Sequence, residues 1–283
     1  MPAIDYRQQT VLITGASSGI GAAFARALAA RGSDLVLVAR RRDRLDALAS
    51  ELEAAHRVTI TAIVQDLESP SAALDLSTAI TDAGLQVTGV INNAGFGTFG
   101  DFVTEDPSRL SREIAVDVSA PVQLSSAFLP RMLEAGQGFL INVASMAAYS
   151  PTPRMAVYGA AKAFVLSFTE SLWAETRSSG VTVFALSPGA TSTEFNAVVG
   201  TDDATAGAGM RTAADVVATA LAHLERRNPG PSVIDGLSNR IGVTPIRLLS
   251  RRATATIMHR VTDPARRRGA AEVPAAEAPN GRG

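Results

Sequence analysis

Tyr158 and Lys162 stand four residues apart in the stretch AVYGAAKAF, and Ser145 lies thirteen residues before the tyrosine. On a helix, positions i and i+4 share a face, so the phenol and the ammonium can enter one pocket. A free tyrosine titrates at about 10 and is a poor acid or base at neutral pH. A fixed positive charge beside it favours the phenolate and brings proton transfer within reach. Tyrosine and lysine also meet at this spacing as plain surface pairs, so the pair gains its weight from a second signal. Thr14-Gly15-Ala16-Ser17-Ser18-Gly19-Ile20-Gly21 follows the apolar run Val11-Leu12-Ile13 and precedes an alanine-rich segment from Ala22 to Ala30. A glycine-rich turn between a buried strand and a helix lets backbone N–H groups close on a phosphate at the positive end of the helix dipole. The spacing is G-x-x-x-G-x-G, one residue wider between the first two glycines than the common dinucleotide fingerprint. Glycines and serines also make ordinary tight turns and caps. A strand before and a helix after favour the nucleotide.

The elements that must hold these groups follow from alternating short apolar runs and amphipathic segments, the pattern of parallel strands joined by crossover helices. Strands are expected at Val11 to Thr14, Leu35 to Ala39, Val58 to Val64, Val87 to Asn92, Gly138 to Val143, Val181 to Leu186 and Ser232 to Ile234. Helices are expected near Ile20 to Arg31, Arg41 to Ala55, Ser71 to Ala83, Pro107 to Ala135, Pro153 to Ser179 and Ala213 to Arg227. Seven strands fit one α/β domain with a doubly wound, Rossmann-like sheet. Ligands of such sheets lie at the carboxyl ends of the strands. The glycine turn, Asn93 and Ser145 all fall there.

Five separated motifs carry a resemblance. TGASSGIG, Asn92-Asn93-Ala94-Gly95, Val143-Ala144-Ser145, the Tyr158 and Lys162 pair and Ser187-Pro188-Gly189 occur in the order and spacing of the classical short-chain dehydrogenase/reductases, over roughly residues 10 to 235. The resemblance implies hydride exchange between a nicotinamide and a carbonyl or secondary alcohol. Ser145 would hold the carbonyl oxygen and Tyr158 would give or take its proton. Lys162 would depress the tyrosine pKa and bind the nicotinamide ribose. It also implies cofactor contacts from Gly15, Ser17, Ser18, Gly19, Ile20 and Gly21 of the turn, from Asp66 with Leu67 near the adenine, and from Asn93, Ala94 and Gly95 beneath the ribose. Pro188, Gly189 and Thr191 would pack on the nicotinamide, and Thr193 would reach the carboxamide or pyrophosphate. Aspartate after a strand is also an ordinary turn former, and the serines and threonines from Ser187 to Thr193 are also ordinary loop composition. Asn92 is expected to stabilise the sheet.

At the end of the second strand, folds of this type place an acid on the ribose 2′-hydroxyl. Here Ala39 is neutral and Arg40 follows. A missing acid and an added base favour a 2′-phosphate, so NADP(H) is preferred and NAD(H) stays possible. The arginines from Arg41 to Arg44 read as the solvated start of a helix, paired with Asp43 and Asp46. One position departs from the family pattern: Asp117 stands where an asparagine usually completes a catalytic tetrad. An aspartate keeps the backbone carbonyl and loses two side-chain donors. Near Lys162 it would strengthen the ammonium form or disturb the local helix.

Composition bounds the rest. The chain has 283 residues, 46% hydrophobic, enough for one large core. A net charge of −1 argues against a nucleic-acid partner, and zero cysteines exclude disulfides and thiolate metal sites. His56, His223 and His259 share no ligand spacing, so no metal is expected. Met1 to Gln9 hold no signal-peptide core and no apolar run reaches membrane-span length, so a cytoplasmic protein is expected. Residues 1–9 form a lead-in, 10–236 the catalytic domain, 237–262 a C-terminal extension and 263–283 a disordered tail. A substrate lid is expected at 194–212. Phe96, Phe99, Ala147, Tyr149, Pro151, Met155, Phe195 and Val198 are expected to wall the pocket, which suits a small to medium apolar substrate. The extension mixes apolar residues with arginines. It could rest on an anionic membrane surface, but capping the pocket or packing on a subunit is the simpler use of its apolar face; Pro245 interrupts any single helix there. Trp173 and Phe168 read as core or subunit interface, and the resemblance implies a homodimer or homotetramer through the long helices. Besides an NADP(H)-dependent oxidoreductase, a dinucleotide-binding regulatory or scaffold protein and an NAD-dependent dehydrogenase remain open.

Overall fold

Apolar runs with no polar interruption form strands buried on both faces, as parallel sheets require. The computed structural model describes residues 4–205, 208–246 and 249–265. Its strands are β1 (Thr10–Thr14), β2 (Asp34–Ala39), β3 (Ile60–Val64), β4 (Gly89–Asn92), β5 (Gly138–Val143), β6 (Val181–Ser187), β7 (Thr191–Ser192), β8 (Arg211–Thr212) and β9 (Ser232–Ile234). Seven form one parallel sheet in the order β3-β2-β1-β4-β5-β6-β9. The helices are α1 (Gly19–Ala29), α2 (Arg42–Ala55), α3 (Ala72–Asp82), α4 (Pro107–Ile114), α5 (Ala120–Ala135), α6 (Ala156–Thr176), α7 (Phe195–Val199), α8 (Ala213–Leu224), α9 (Leu237–Ile246) and α10 (Arg251–Val261).

The core lies in two layers, one on each sheet face. Phe24, Phe139 and Phe184 are fully buried in the layer that takes α1, α2 and α8, and Leu76, Leu124 and Phe128 fill the layer under α3 and α5. Each such side chain contributes about 1.5–3 kcal/mol by leaving water. The order reverses between β1 and β4, so the carboxyl ends of these strands open the crevice expected of a doubly wound sheet.

Several boundaries differ from the sequence reading. β3 and β4 begin two residues later than expected, at Ile60 and Gly89. The helix expected from Pro107 to Ala135 is α4, a wide π turn at Ala115–Ser119, then α5. A π turn takes in an extra residue per turn, and here it swings Asp117 toward partners off the helix. α6 starts at Ala156 because Arg154 takes a left-handed backbone, φ 68°, which a helix does not allow. The segment expected to form a lid is tied at both ends, since β7 and β8 pair in parallel and α7 lies between them. Pro245 falls in the last turn of α9, and a separate α10 follows. The tail expected to be disordered lies, from residue 266 on, outside the described residues. Among these no helix is long and apolar enough to cross a membrane.

Candidate active site

The glycine turn is shaped by what side chains would collide with. Gly15 has φ 65°, and a Cβ there would come within 2.9 Å of Ala94 Cα. Gly21 sits so close to the turn that a Cβ would lie 2.7 Å from Asn93 Nδ2 and closer still to the Gly15 carbonyl oxygen. Thr14 staples the neighbouring strand end to this turn: its hydroxyl accepts from the Asn93 and Ala94 amides at 3.0 Å, and its carbonyl accepts from Asn93 Nδ2 at 2.9 Å. Asn92 points the other way, donating to Asn142 Oδ1 at 2.8 Å inside the sheet. Thr193 lies over Gly19, and its hydroxyl accepts from the Phe195 amide at 3.2 Å. Thr191 donates to the Gly189 carbonyl at 2.9 Å.

At the end of β2, the two arginines behave differently. Arg40 is exposed and reaches Glu68 at 3.2 Å. Arg41 donates to the Ser17 and Ser18 hydroxyls at 3.0 and 2.9 Å and pairs with Glu194 at 2.9 Å. Arg44 also meets Glu194, and Arg42 faces Asp46 at 3.7 Å. Glu194, just before α7, pairs with both Arg41 and Arg44. Asp66 is exposed and accepts from the Glu68 amide at 3.0 Å, while Leu67 beside it is buried. Arg40, Arg41, Asp66 and Leu67 all border the crevice.

The crevice holds about 620 Å³ and runs from the glycine turn past Asn93, Ala94 and Gly95 to Ser145, Tyr158, Lys162, Pro188 and Gly189. Ser145 follows β5, and its hydroxyl accepts from the Ala147 amide at 3.1 Å. Lys162 is buried, donates to the Val143 carbonyl at 3.2 Å, and lies 5.6 Å from the centre of the Tyr158 ring. Its ammonium also pairs with Asp117 Oδ2 at 3.2 Å, and Asp117 Oδ1 accepts from the Phe96 amide at 3.0 Å. Asp117 therefore acts through its side chain.

Lys162 pulls the Tyr158 phenol down as expected, but burial prevails. Burial pushes the Tyr158 phenol above its ordinary value; Lys162 and Ser145 pull down, and Asp117 and Glu113 push up. Burial would lower the Lys162 ammonium, but Asp117 and Tyr158 outweigh it and hold it up. The lysine's charge is already shared with a carboxylate.

Phe96, Ala147, Tyr149, Met155, Phe195 and Val198 wall the crevice as expected, whereas Phe99 and Pro151 are not among its lining. The C-terminal extension also lines the crevice, with Val243 from α9, Met258 from α10 and Thr262 just beyond it. Arg154 anchors that end: its guanidinium donates to the His259 carbonyl and the Thr262 hydroxyl, both at 3.4 Å, and faces Asp263 at 3.6 Å. Reading the sequence missed Arg41 and the fully buried Glu113. The signal for Glu113 was present: Glu113 and Asp117 are two acids at i and i+4 among Ile114, Ala115, Val116 and Val118. His223 packs on Phe184 and reaches the Gly230 carbonyl at 2.9 Å, far from the crevice in role, and Trp173 donates to the Pro229 carbonyl at 3.1 Å.

Residues 9–204 match the family model of the short chain dehydrogenases. A short chain dehydrogenase of Pseudocercospora fijiensis is 37% identical over 192 residues, which is 67% of this chain and 62%, under two thirds, of that relative. The solved structure of a short-chain dehydrogenase from Sphingobium yanoikuyae in complex with NADPH is 33% identical with a TM-score of 0.74, covering 96% of this chain and 99% of that one. The bulky-bulky ketone specific alcohol dehydrogenase from Comamonas testosteroni is 30% identical with a TM-score of 0.72, over 96% and 97% of the two chains. A family match across most of the sheet, joined by likeness over nearly the whole length of solved structures, makes this chain a member of the classical short-chain dehydrogenase/reductases.

Proposed function

We propose that the protein is an NADP(H)-dependent reductase of neutral, apolar ketones or aldehydes. The observation that carries this reading is the meeting of Ser145, Tyr158 and Lys162 at one end of a crevice whose other end is the glycine turn. The residues fit a dinucleotide: Gly15 and Gly21 leave room where a Cβ would collide, and the turn opens onto the α1 N-terminus. When bound, the nicotinamide supplies the hydride. Ser145 holds the substrate oxygen, and the Tyr158 hydroxyl gives it a proton as the carbonyl carbon is reduced. Raised as it is, the phenol stays protonated at neutral pH, the form that reduction needs. Lys162, held cationic by Asp117, steadies the phenolate left behind.

NADP(H) is favoured by neutral Ala39 with Arg40 and Arg41 beyond it, and by the NADPH held in the Sphingobium relative. NAD(H) stays compatible. The substrate reading rests on charge. Of the charged residues lining the crevice, Arg40, Arg41, Asp66 and Glu194 stand at or beside the nucleotide end, and Lys162 is engaged by Asp117. Among the described residues lining the crevice no cation remains to bind an acidic substrate, and the ketone specificity of the Comamonas relative agrees. A second reading, a dinucleotide-binding regulator without turnover, has Asp117's capture of Lys162 in its favour. We also infer a homodimer or homotetramer; α6 leaves Phe164 exposed and stacked on Phe168 at 5.9 Å, and sedimentation velocity measures the assembly.

Calorimetric titration with NADPH and NADH tests the reading. NADPH should bind more tightly, and Arg41→Ala should lose about tenfold of that preference, the worth of one charge-assisted contact. Equal binding of the two cofactors would contradict the NADP assignment, and absence of turnover with every ketone tried would favour the regulator.

A further inference from the structure

Three arginines meet two glutamates at the edge of the crevice beyond β2. Arg40 faces Glu68 at 3.2 Å. Arg41 directs its Nη2 to the Ser17 and Ser18 hydroxyls, at 3.0 and 2.9 Å, and turns Nη1 to Glu194 Oε2 at 2.9 Å. Arg44 closes on the other Glu194 oxygen. One carboxylate thus gathers two guanidiniums beside the hydroxyls of the glycine turn, with each of its oxygens on a separate arginine. Guanidiniums placed around an anion in this way also suit a phosphate. Arg44 and Arg41 hold the Glu194 carboxyl down at about 2, so it is charged at neutral pH. The chain on either side fixes where it stands: Thr193 covers Gly19, and the Phe195 ring lies 5.3 Å from that of Tyr158. The Glu194 side chain is nevertheless 42% exposed, so it can turn out to water without stranding a buried charge.

We propose that Glu194 is a built-in stand-in for the 2′-phosphate of NADP(H), occupying Arg41 and Arg44 until the cofactor binds and then yielding Arg41 to it, and that it thereby limits the preference over NAD(H). The proposal rests on the NADP(H) reading of the same crevice. A 2′-phosphate brought to Arg41 meets Glu194 on the same guanidinium, and two anions drawn to one cation repel each other. The phosphate prevails because it brings more charge and more acceptor oxygens, whereas exposed carboxylate pairs are weak. Binding therefore exchanges one anion for another, and part of the phosphate's attraction goes into displacing the carboxylate. NADH carries a hydroxyl in that place, leaves the ion pairs intact and is indifferent to Glu194. The residue acts on cofactor discrimination and touches no reacting atom.

Calorimetric titration of Glu194→Gln and Glu194→Ala with NADPH and NADH tests this. Both variants should bind NADPH about fivefold more tightly than wild type, the worth of the exposed ion pairs no longer broken, and should bind NADH as wild type does. Adenosine 2′,5′-bisphosphate against 5′-AMP should repeat the pattern, since the effect lies in the 2′-phosphate and not in the nicotinamide. With Arg41→Ala and Arg44→Ala already in place, Glu194→Gln should change NADPH binding by less than about twofold, because the contested guanidiniums are gone. In a wild type that prefers NADPH, unchanged or weaker NADPH binding by Glu194→Gln overturns the proposal and leaves the NADP(H) reading standing. Equal tightening of NADPH and NADH overturns it too. A wild type that binds the two cofactors equally contradicts the NADP(H) reading, and the proposal falls with it.

Discussion

At Gly21 one methyl group decides whether the nucleotide cradle can form. Its Cβ would lie 2.7 Å from Asn93 Nδ2 and press on the Gly15 carbonyl, neither of which is a loose side-chain end. Gly21→Ala is expected to lower stability by about 1–3 kcal/mol, the range for overpacking, and to abolish the rise in melting temperature that NADPH gives wild type. Thermal melts with and without NADPH measure both. Asp117 permits a prediction with a sign. Its charge raises the Tyr158 phenol, so removing it lets the phenolate form at lower pH. Alcohol oxidation needs the phenolate as base, and in Asp117→Asn its pH profile should therefore shift to more acid pH; a profile that stays put or moves alkaline would contradict the coupling. Tyr158 and Lys162 were legible because helical spacing puts them on one face and the glycine turn marks the same chain as nucleotide-binding. Their ionisation was not, because Asp117 meets Lys162 only through a turn whose width depends on contacts off the helix.

Among the elements, α10 has the clearest function to test. It brings Met258, and the residue after its end, Thr262, to the substrate side of the crevice, and Arg154 ties that end down. Arg154→Ala should raise KM for a bulky ketone about fivefold, the equivalent of about one lost hydrogen bond, and leave the NADPH dissociation constant unchanged. Steady-state kinetics against calorimetry separates the two. The strands and crossover helices were readable because burial on both faces leaves an unbroken apolar run and burial on one leaves a stripe. Short β7 and β8 were not, since two residues carry no period; nor was the split of the long helix at Ala115–Ser119. Arg41 was lost for a related reason: its partner Glu194 is 153 residues away in the chain.

For the whole molecule, the sheet order explains why the cofactor end was readable from local motifs, while two of the expected substrate walls, Phe99 and Pro151, do not line the crevice. The glycine turn, Asn93 and Ser145 follow β1, β4 and β5, neighbours at the reversal of strand order, so local motifs suffice to find one crevice. The substrate walls come from separate places, Met155 before α6, Phe195 on α7, Val243 on α9 and Met258 on α10, and no local pattern links them. The central claim is that this crevice reduces carbonyl groups with a proton from Tyr158. The most direct measurement is NADPH oxidation with a bulky neutral ketone by wild type and by Tyr158→Phe, each with its NADPH dissociation constant. The account predicts turnover by wild type and a loss of at least about a hundredfold in Tyr158→Phe, with NADPH binding retained. Undiminished turnover in Tyr158→Phe would contradict it.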